Sequence, residues 1–570
     1  MMSNLMHIEN GAEAFVEALN AQGVDHIFLN PGIDIVPIQG VIAKYKSLSR
    51  KAPQVILCTH ESVAVAAAHG YAMVSGRPQV VAVFQDVGTL QSGGAIINLQ
   101  YGRIPVILCA GQNATPNRVN WLQEPFDQRK IVRNYVKWDY ELHVDEDITS
   151  VLQEAFRVAS AEPCGPVYLS IPREVLMGKT GERSVTAPII SERPFEIDIV
   201  ALRNAAEILI HSENPLIVTA YLGRHPQSVT SLVELAETLS ARVITTDLRM
   251  NFPNTHPLCP GIDAIAGNTY DHYIGKADVL LLIDYDFPGP MGKQVAPGPN
   301  AKIIHIDIEP LKKGSLLWGR TPNILVKGDS SKILPALNEI VRQRLTTKPD
   351  VRLRDRFKRL ENEHRQLKEG WRGKALNEAN QEPISAEWLC QCINEVLDED
   401  AILVHMIPSS ADALAHQIRR TKPGTLYSWG DSAGSMGWPL GAALGAKLAA
   451  PDHMVVSLIG DGGFIYGCPV ATLWSASAYN APFLTIIFNN KSYASIRSLM
   501  RMFYGESSIS GEMGFEVGTD IKNPPDFALI AKACRAYGQT VEDPSEVLPV
   551  LKKAVAQVRG GKSAVVDVRL

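Results

Sequence analysis

Two apolar runs, at residues 454–459 and 483–488, each end on small polar residues, and the stretch between them predicts a helix over about 467–480. Continuous apolar runs of this length, bounded by turn residues, predict buried parallel strands, so the region reads as one βαβ unit. The same alternation recurs along the chain. Residues 26–29, 54–58 and 165–173 predict strands early on, residues 215–220, 242–246, 279–283 and 302–307 predict them in the middle, and 401–405 begins the last group. Strands alternating with helical stretches predict an α/β protein built from doubly wound parallel sheets.

Breaks in composition divide the chain. Residues 1–185 form a first unit, closed by a strand with a proline stop and followed by a polar, proline-containing linker at 183–195. Residues 196–345 form a second unit and 381–570 a third. Between these two, 346–380 is dense in Lys, Arg and Glu and predicts a solvated helical connector.

The polar ends of the paired runs lie on the carboxyl edge of one sheet, where open α/β sheets bind ligands. The first run leads into Gly460-Asp461-Gly462-Gly463 and the second into Asn489-Asn490, with 29 positions from Asp461 to Asn490. The glycines let the backbone approach a diphosphate, and a helix N-terminus favours its charge. Asp461 and Asn490 supply two hard oxygen ligands of the kind Mg²⁺ takes, phosphate oxygens, a carbonyl and water completing the octahedron. A second candidate lies 400 residues earlier. Glu61 stands where a buried strand at 54–58 gives way to an alanine-rich helix, and a carboxylate is costly to bury unless its charge is used. A low-dielectric setting there predicts a raised pKa.

These segments resemble the thiamine diphosphate (ThDP) enzymes, more closely their acetolactate synthase and benzoylformate decarboxylase branch, and the resemblance spans almost the whole chain. It implies pyrimidine-binding, central and diphosphate-binding domains in that order. It implies that the side chains of Asp461 and Asn490 and the main-chain carbonyl of Ser492 hold Mg²⁺. Gly462, Gly463 and Tyr493 then border the cofactor, and Glu61 is the acid/base residue on its aminopyrimidine ring. Pro31 and Gly32, in Asn30-Pro31-Gly32, match a loop near that ring, while Gln91, Ser409 and Ser410 are further cofactor contacts. In the run from Asp431 to Gly437, Gly434 offers backbone to the aminopyrimidine and Met436 is the apolar wedge that keeps ThDP bent. In relatives the cofactor lies between the first domain of one subunit and the third of another, which implies a homodimer or homotetramer.

The departures from the family bear on substrate. Ile33 follows Asn-Pro-Gly where benzoylformate decarboxylase has serine, residues 84–91 contain no histidine, and the His-His pair of pyruvate-type decarboxylases is absent. Residues 464–469 make a longer segment than in benzoylformate decarboxylase. Residues 489–504 keep the acetolactate synthase register, but Leu499 replaces its tryptophan and Asp86-Val87-Gly88 its Gly-Pro-Gly. Gln85 and Gln112 are candidate pocket amides, Gln85 also a proton relay. The resemblance implies a ThDP- and Mg²⁺-dependent carboligase or carbon–carbon lyase acting on a 2-oxo acid or related carbonyl donor. The alternatives are a 2-oxo acid decarboxylase releasing an aldehyde, an FAD-containing oxidase or synthase, and a non-catalytic ThDP-binding subunit. The FAD reading rests on 302–307, which matches a strand that precedes a flavin or ADP site in relatives.

Composition narrows the partners. A chain of 570 residues with net charge −5 and a pI near 6.3 gives no electrostatic case for nucleic acid. Eight scattered cysteines form neither a disulfide framework nor a zinc pattern, which suits a reducing cytoplasm. No signal peptide is expected from the first nine residues, and no uninterrupted run of about 18 apolar residues is present to span a bilayer.

Overall fold

The computed structural model describes residues 5–120, 127–184, 196–246, 248–263, 269–285, 297–310, 321–345, 350–428, 434–505 and 517–570. Part of the expected linker, 185–195, and residues 431–433 of the wedge segment lie outside them.

Three six-stranded parallel sheets carry the fold. The first contains β2 His26–Leu29, β3 Gln54–Leu57, β4 Gln79–Val83, β5 Val106–Gln112, β6 Trp138–Glu141 and β7 Val167–Pro172, in the order β3-β2-β4-β5-β7-β6. Before and after it, β1 Leu5–Asn10 and β8 Lys179–Ser184 pair antiparallel as a separate ribbon. The central sheet holds β9 Pro215–Thr219, β10 Arg242–Thr246, β11 Ile262–Asp263, β12 Val279–Ile283, β13 Lys302–Asp307 and β14 Ile324–Lys327, in the order β11-β10-β9-β12-β13-β14. The third holds β15 Ile402–Met406, β16 Leu426–Ser428, β17 Val455–Gly460, β18 Leu484–Asn489, β19 Tyr537–Val541 and β20 Ala564–Arg569, in the order β16-β15-β17-β18-β20-β19. Interior strands such as β4, β12 and β18 are buried along their whole length, as helices on both faces require. Strand β3 differs from expectation: it is an edge strand with only Ile56 fully buried, because it pairs on one side alone.

The first and third sheets meet through two helices. Glu61–Ser75 is capped by the His60 side chain, which accepts from the Ser62 amide, and ends on Gly76 at φ 68°. It is buried on every side from Val63 to Met73, which explains its alanines: it crosses Trp438–Ala449 backbone to backbone. A Cβ built on Gly445 would stand 1.8 Å from the Ala67 carbonyl oxygen, and one on Gly70 would stand 2.1 Å from that of Ala442. Neither neighbour is a flexible side chain, so Gly445→Ala must force the helices apart. We expect it to cost roughly 3 kcal/mol, read as a lowered denaturation midpoint, whereas Gly40→Ala, with open space around it, is neutral or stabilising.

His69 sits at the same crossing, 1 % exposed, its ring 5.0 Å from that of Trp438 and neither nitrogen hydrogen-bonded. Burial, with Arg249 nearby, pulls its pKa from 6.5 to about 3, so the ring is neutral in the fold. A folded pKa below the unfolded one means that its contribution is complete above 6.5 and is lost as the pH falls toward 3. The slope approaches about 1.4 kcal/mol per pH unit in that window. Denaturation of the wild type and His69→Leu across this range checks it, the variant losing that slope.

The charged connector is only partly solvated. Helix Val351–Asn377 buries Leu353, Arg356, Leu360, His364 and Ala375 in one stripe. The Arg356 guanidinium donates to the carbonyls of Ser212, Glu213 and Leu239 at 2.7, 2.9 and 2.6 Å. These carbonyls lie at the ends of helices Ile199–His211 and Pro226–Leu239, where unpaired oxygens attract a cation. No helix among the described residues is long and apolar enough to cross a membrane.

Candidate active site

Strands β17 and β18 are adjacent and parallel, with Gly460 opposite Phe488, so Asp461 and Asn490 leave the same sheet edge side by side. The predicted glycine turn is itself helical: Asp461–Tyr466 forms a short helix, Cys468 breaks it at φ 52°, and Pro469–Ala478 resumes. Asp461 is 2 % exposed. Its Oδ1 accepts from the Gly462 amide at 2.9 Å, while Oδ2 is buried with no partner. Burial pushes its pKa up, against the Gly462 and Lys491 amides that pull it down. An acid held in this way invites a cation.

Asn490 Oδ1 accepts from the Ser492 amide at 3.0 Å, and Lys491 between them takes φ 53°, which curls the main chain over Asp461. The loop is braced from outside: the Tyr493 amide donates to Thr519 and the Ile521 amide to Lys491, at 2.8 and 2.9 Å. The first asparagine has other work. Asn489 lies inside β18 and donates to Asp567 at 2.8 Å, itself fully buried beside Arg569. Gly462 and Gly463 prove to be packing glycines. A Cβ at 462 would meet the Tyr493 ring at 2.6 Å and one at 463 the Met406 methyl at 2.6 Å. At the end of neighbouring β15, Ser409 faces solvent, whereas Ser410 is buried with its amide bound to Ile407.

Glu61 stands at the carboxyl edge of the first sheet, half-buried as the first residue of its helix. Gly88 lies against it: a Cβ there would come within 3.3 Å of Glu61 Oε1. Pro31 and Ile33 project from the loop after β2, Ile33 59 % exposed, and Gly32 is pressed onto Phe84. The two expected pocket amides turn inward instead. Gln85, at φ 43°, is fully buried and donates to the buried carboxylate of Asp34. Gln112, 1 % exposed, accepts from Ser170 at 2.7 Å. Both occupy the interior at strand ends, so neither faces an open pocket. Asp34 escaped the sequence-based selection, although a lone carboxylate in Ile33-Asp34-Ile35-Val36 is a visible anomaly. Asp34→Ala leaves the buried Gln85 amide unpaired and is expected to cost about 1–3 kcal/mol by chemical denaturation.

Gln91, Met436 and Ser435 line a cavity of about 290 Å³ beside the helix crossing, and Gly434 is exposed next to it. Asn98 ties the two units there, donating to the Ser435 carbonyl at 3.0 Å. Leu499 is half-buried on helix Ala494–Tyr504, a helix with no fully buried residue that leaves Ile496, Met502, Phe503 and Tyr504 exposed. The candidate residues thus come from two units, one group at the third sheet's edge and one at the first's, and Gln91 and Met436 meet in the cavity where those units touch.

All three units resemble known proteins. Family models described as the thiamine pyrophosphate enzyme N-terminal TPP binding domain, central domain and C-terminal TPP binding domain match residues 9–131, 202–337 and 409–568. The probable acetolactate synthase large subunit of Methanocaldococcus jannaschii is 26% identical over 559 residues, 96% of this chain and 90% of that protein. Benzoylformate decarboxylase of Pseudomonas aeruginosa is 29% identical over 560 residues, 96% of each. Among solved structures, benzoylformate decarboxylase from Polynucleobacter necessarius superposes with a TM-score of 0.80 at 20% identity, covering 99% of both chains. The Rhodococcus jostii thiamine diphosphate-dependent 4-hydroxybenzoylformate decarboxylase gives 0.78 at 23% identity, covering 98% and 99%.

Proposed function

The chain belongs to the thiamine pyrophosphate enzyme family, and from that premise we propose that it is a ThDP- and Mg²⁺-dependent carboligase or carbon–carbon lyase of acetolactate-synthase type, acting on a 2-oxo acid or related carbonyl donor. The observation that carries this reading is Asp461, a buried carboxylate with one oxygen unpaired, beside Asn490 on the adjoining strand end. The donor set is all oxygen, as Mg²⁺ prefers: Asp461, the Asn490 amide and the Ser492 carbonyl would hold it. Ser409 is the exposed hydroxyl for the diphosphate, and Gly434 and Met436 would seat the pyrimidine. Bound ThDP supplies the electron sink that lets a carbon–carbon bond beside a carbonyl break or form. The chain's task is then proton and geometry control. Glu61 would hold a proton at its Oε1 against the aminopyrimidine, Gly88 leaving room for it, while Ile33 and Leu499 shape the acceptor side.

Glu61 and Asp461 stand on different sheet edges, so we propose that a second copy completes each site in a homodimer or homotetramer. Exposed apolar side chains near both edges, Ile33, Val87 and Leu90 on one and Ile465, Tyr466 and Val470 on the other, support an association of that kind. We place the protein in the cytoplasm, on its eight free thiols.

A second reading, a 2-oxo acid decarboxylase releasing an aldehyde, is favoured by the 29% identical benzoylformate decarboxylase. The inward turn of Gln85 weighs against it, removing the candidate relay that would protonate the product. Incubating the protein with ThDP, Mg²⁺ and, in turn, pyruvate, benzoylformate and larger 2-oxo acids, with mass spectrometry of products, separates the two. A coupled acyloin or acetohydroxy acid is expected; free aldehyde alone overturns the ligase reading. A flavin absorbance in the purified protein would bring forward the FAD-containing alternative.

A further inference from the structure

Asp567, one strand away from the proposed cation site, is a buried acid that the proposed function leaves unused. It lies inside β20 and is fully buried, where a carboxylate is costly unless something uses its charge. Its Oδ1 accepts from the Asn489 side-chain amide at 2.8 Å, and its Oδ2 lies 3.1 Å from the Arg569 guanidinium. Strands β18 and β20 are adjacent and parallel with Ile487 opposite Asp567, so Asn489, two residues further on, shares the face that carries the carboxylate.

This pairing decides which way round the Asn489 amide stands. An ionised carboxylate only accepts, so the amide nitrogen faces Asp567 and the amide oxygen faces away. That oxygen accepts from the Lys491 main-chain N–H at 3.2 Å. Lys491 stands at φ 53°, a left-handed backbone that a residue with a Cβ takes only when its surroundings hold it there. Asn489 holds it from inside the sheet, and the Ile521 amide holds it from outside by donating to the Lys491 carbonyl at 2.9 Å. On either side of Lys491 stand Asn490 and Ser492, whose oxygens would hold Mg²⁺. A flipped Asn489 amide would set its NH₂ group against the Lys491 N–H, donor facing donor, and the turn would lose its inner support.

We infer that Asp567 is a positioning residue for the cation site: through the Asn489 amide it fixes the turn at Lys491, and with it the places of the Asn490 and Ser492 oxygens, without touching the metal itself. This role rests on the proposed reading of Asp461, Asn490 and Ser492 as Mg²⁺ ligands. Groups that orient metal ligands from one step behind typically change metal affinity by roughly 10–100-fold.

Asp567→Asn tests the role at nearly constant volume. The new amide can give its oxygen to Arg569 and its NH₂ group to Asn489, which favours the flipped orientation. Mg²⁺ is titrated calorimetrically into the full-length protein with ThDP present, and hydrogen exchange at the Lys491 amide is followed in the cofactor-free protein. Asp567→Asn is expected to weaken Mg²⁺ binding by about tenfold or more and to speed exchange at Lys491. Asn489→Ala, which removes the middle link and leaves the carboxylate beside Arg569, is expected to do the same. Val566→Ala, a buried neighbour on the opposite face of β20, should lower the denaturation midpoint and leave Mg²⁺ affinity at the wild-type value. Wild-type affinity in Asp567→Asn and Asn489→Ala, with affinity lost in Asp461→Ala, would overturn the positioning role alone. Wild-type affinity in Asp461→Ala would remove the metal reading and this role with it. An equal loss in Val566→Ala would make Asp567 a structural residue only.

Discussion

Asp461→Ala is expected to abolish turnover and Mg²⁺-dependent ThDP binding while leaving the cofactor-free protein as stable as the wild type or more so. The two halves of that result come from one cause. Asp461 is 2 % exposed, and only one of its oxygens is satisfied. Burial raises its pKa, so its protein surroundings alone oppose the charge. Removing such a carboxylate relieves the fold, since an unpaired buried charge costs several kcal/mol that a cation otherwise offsets. An ordinary structural aspartate would behave in the opposite sense, losing stability when truncated. Calorimetric titration of ThDP with and without Mg²⁺, beside denaturation of the cofactor-free form, reads both halves. A variant that binds ThDP normally, or one several kcal/mol less stable than wild type, removes Asp461 from the metal site.

Glu61→Gln is expected to leave ThDP binding within a few-fold of wild type and lower kcat by about a thousandfold, in the range of a lost general acid/base. The substitution keeps shape and hydrogen-bonding capacity, and Gly88 already leaves room for the group, so packing at the helix start is unchanged. What disappears is the carboxylate's proton exchange. The split between binding and turnover separates this position from Asp461, whose loss removes both. Full activity in the Glu61→Gln variant would end Glu61's candidacy; failure of that variant to bind cofactor would make Glu61 a structural contact instead.

Much of the layout was readable because buried parallel strands announce themselves by unbroken apolar runs. The paired runs at 454–459 and 483–488 appear as β17 and β18 shifted by a single residue. That shift matters: it carries Asn489 into the strand, where it serves Asp567, and leaves Asn490 alone at the edge. What local pattern could not reveal is where a side chain turns after a strand ends. Gln85 looked like a pocket amide by position, but its left-handed backbone directs it onto Asp34, 51 residues earlier. Gly462 and Gly463 looked reserved for a ligand, whereas Tyr493 and Met406 fill the space a side chain would need. The charged helix Val351–Asn377 read as solvated because its anchor, Arg356, is itself charged, and carbonyls at distant helix ends are invisible in sequence.

The ribbon of β1 and β8 also sets a condition on the timing of biosynthesis. Leu5 pairs with Ser184 and Asn10 with Lys179, so among the first described residues to leave the ribosome are those whose partners arrive last in that unit. The sheet β2 to β7 can assemble as its strands emerge, yet the ribbon must wait until β8 clears the exit tunnel. Until then the amino-terminal strand has two open edges, each able to pair with another nascent chain.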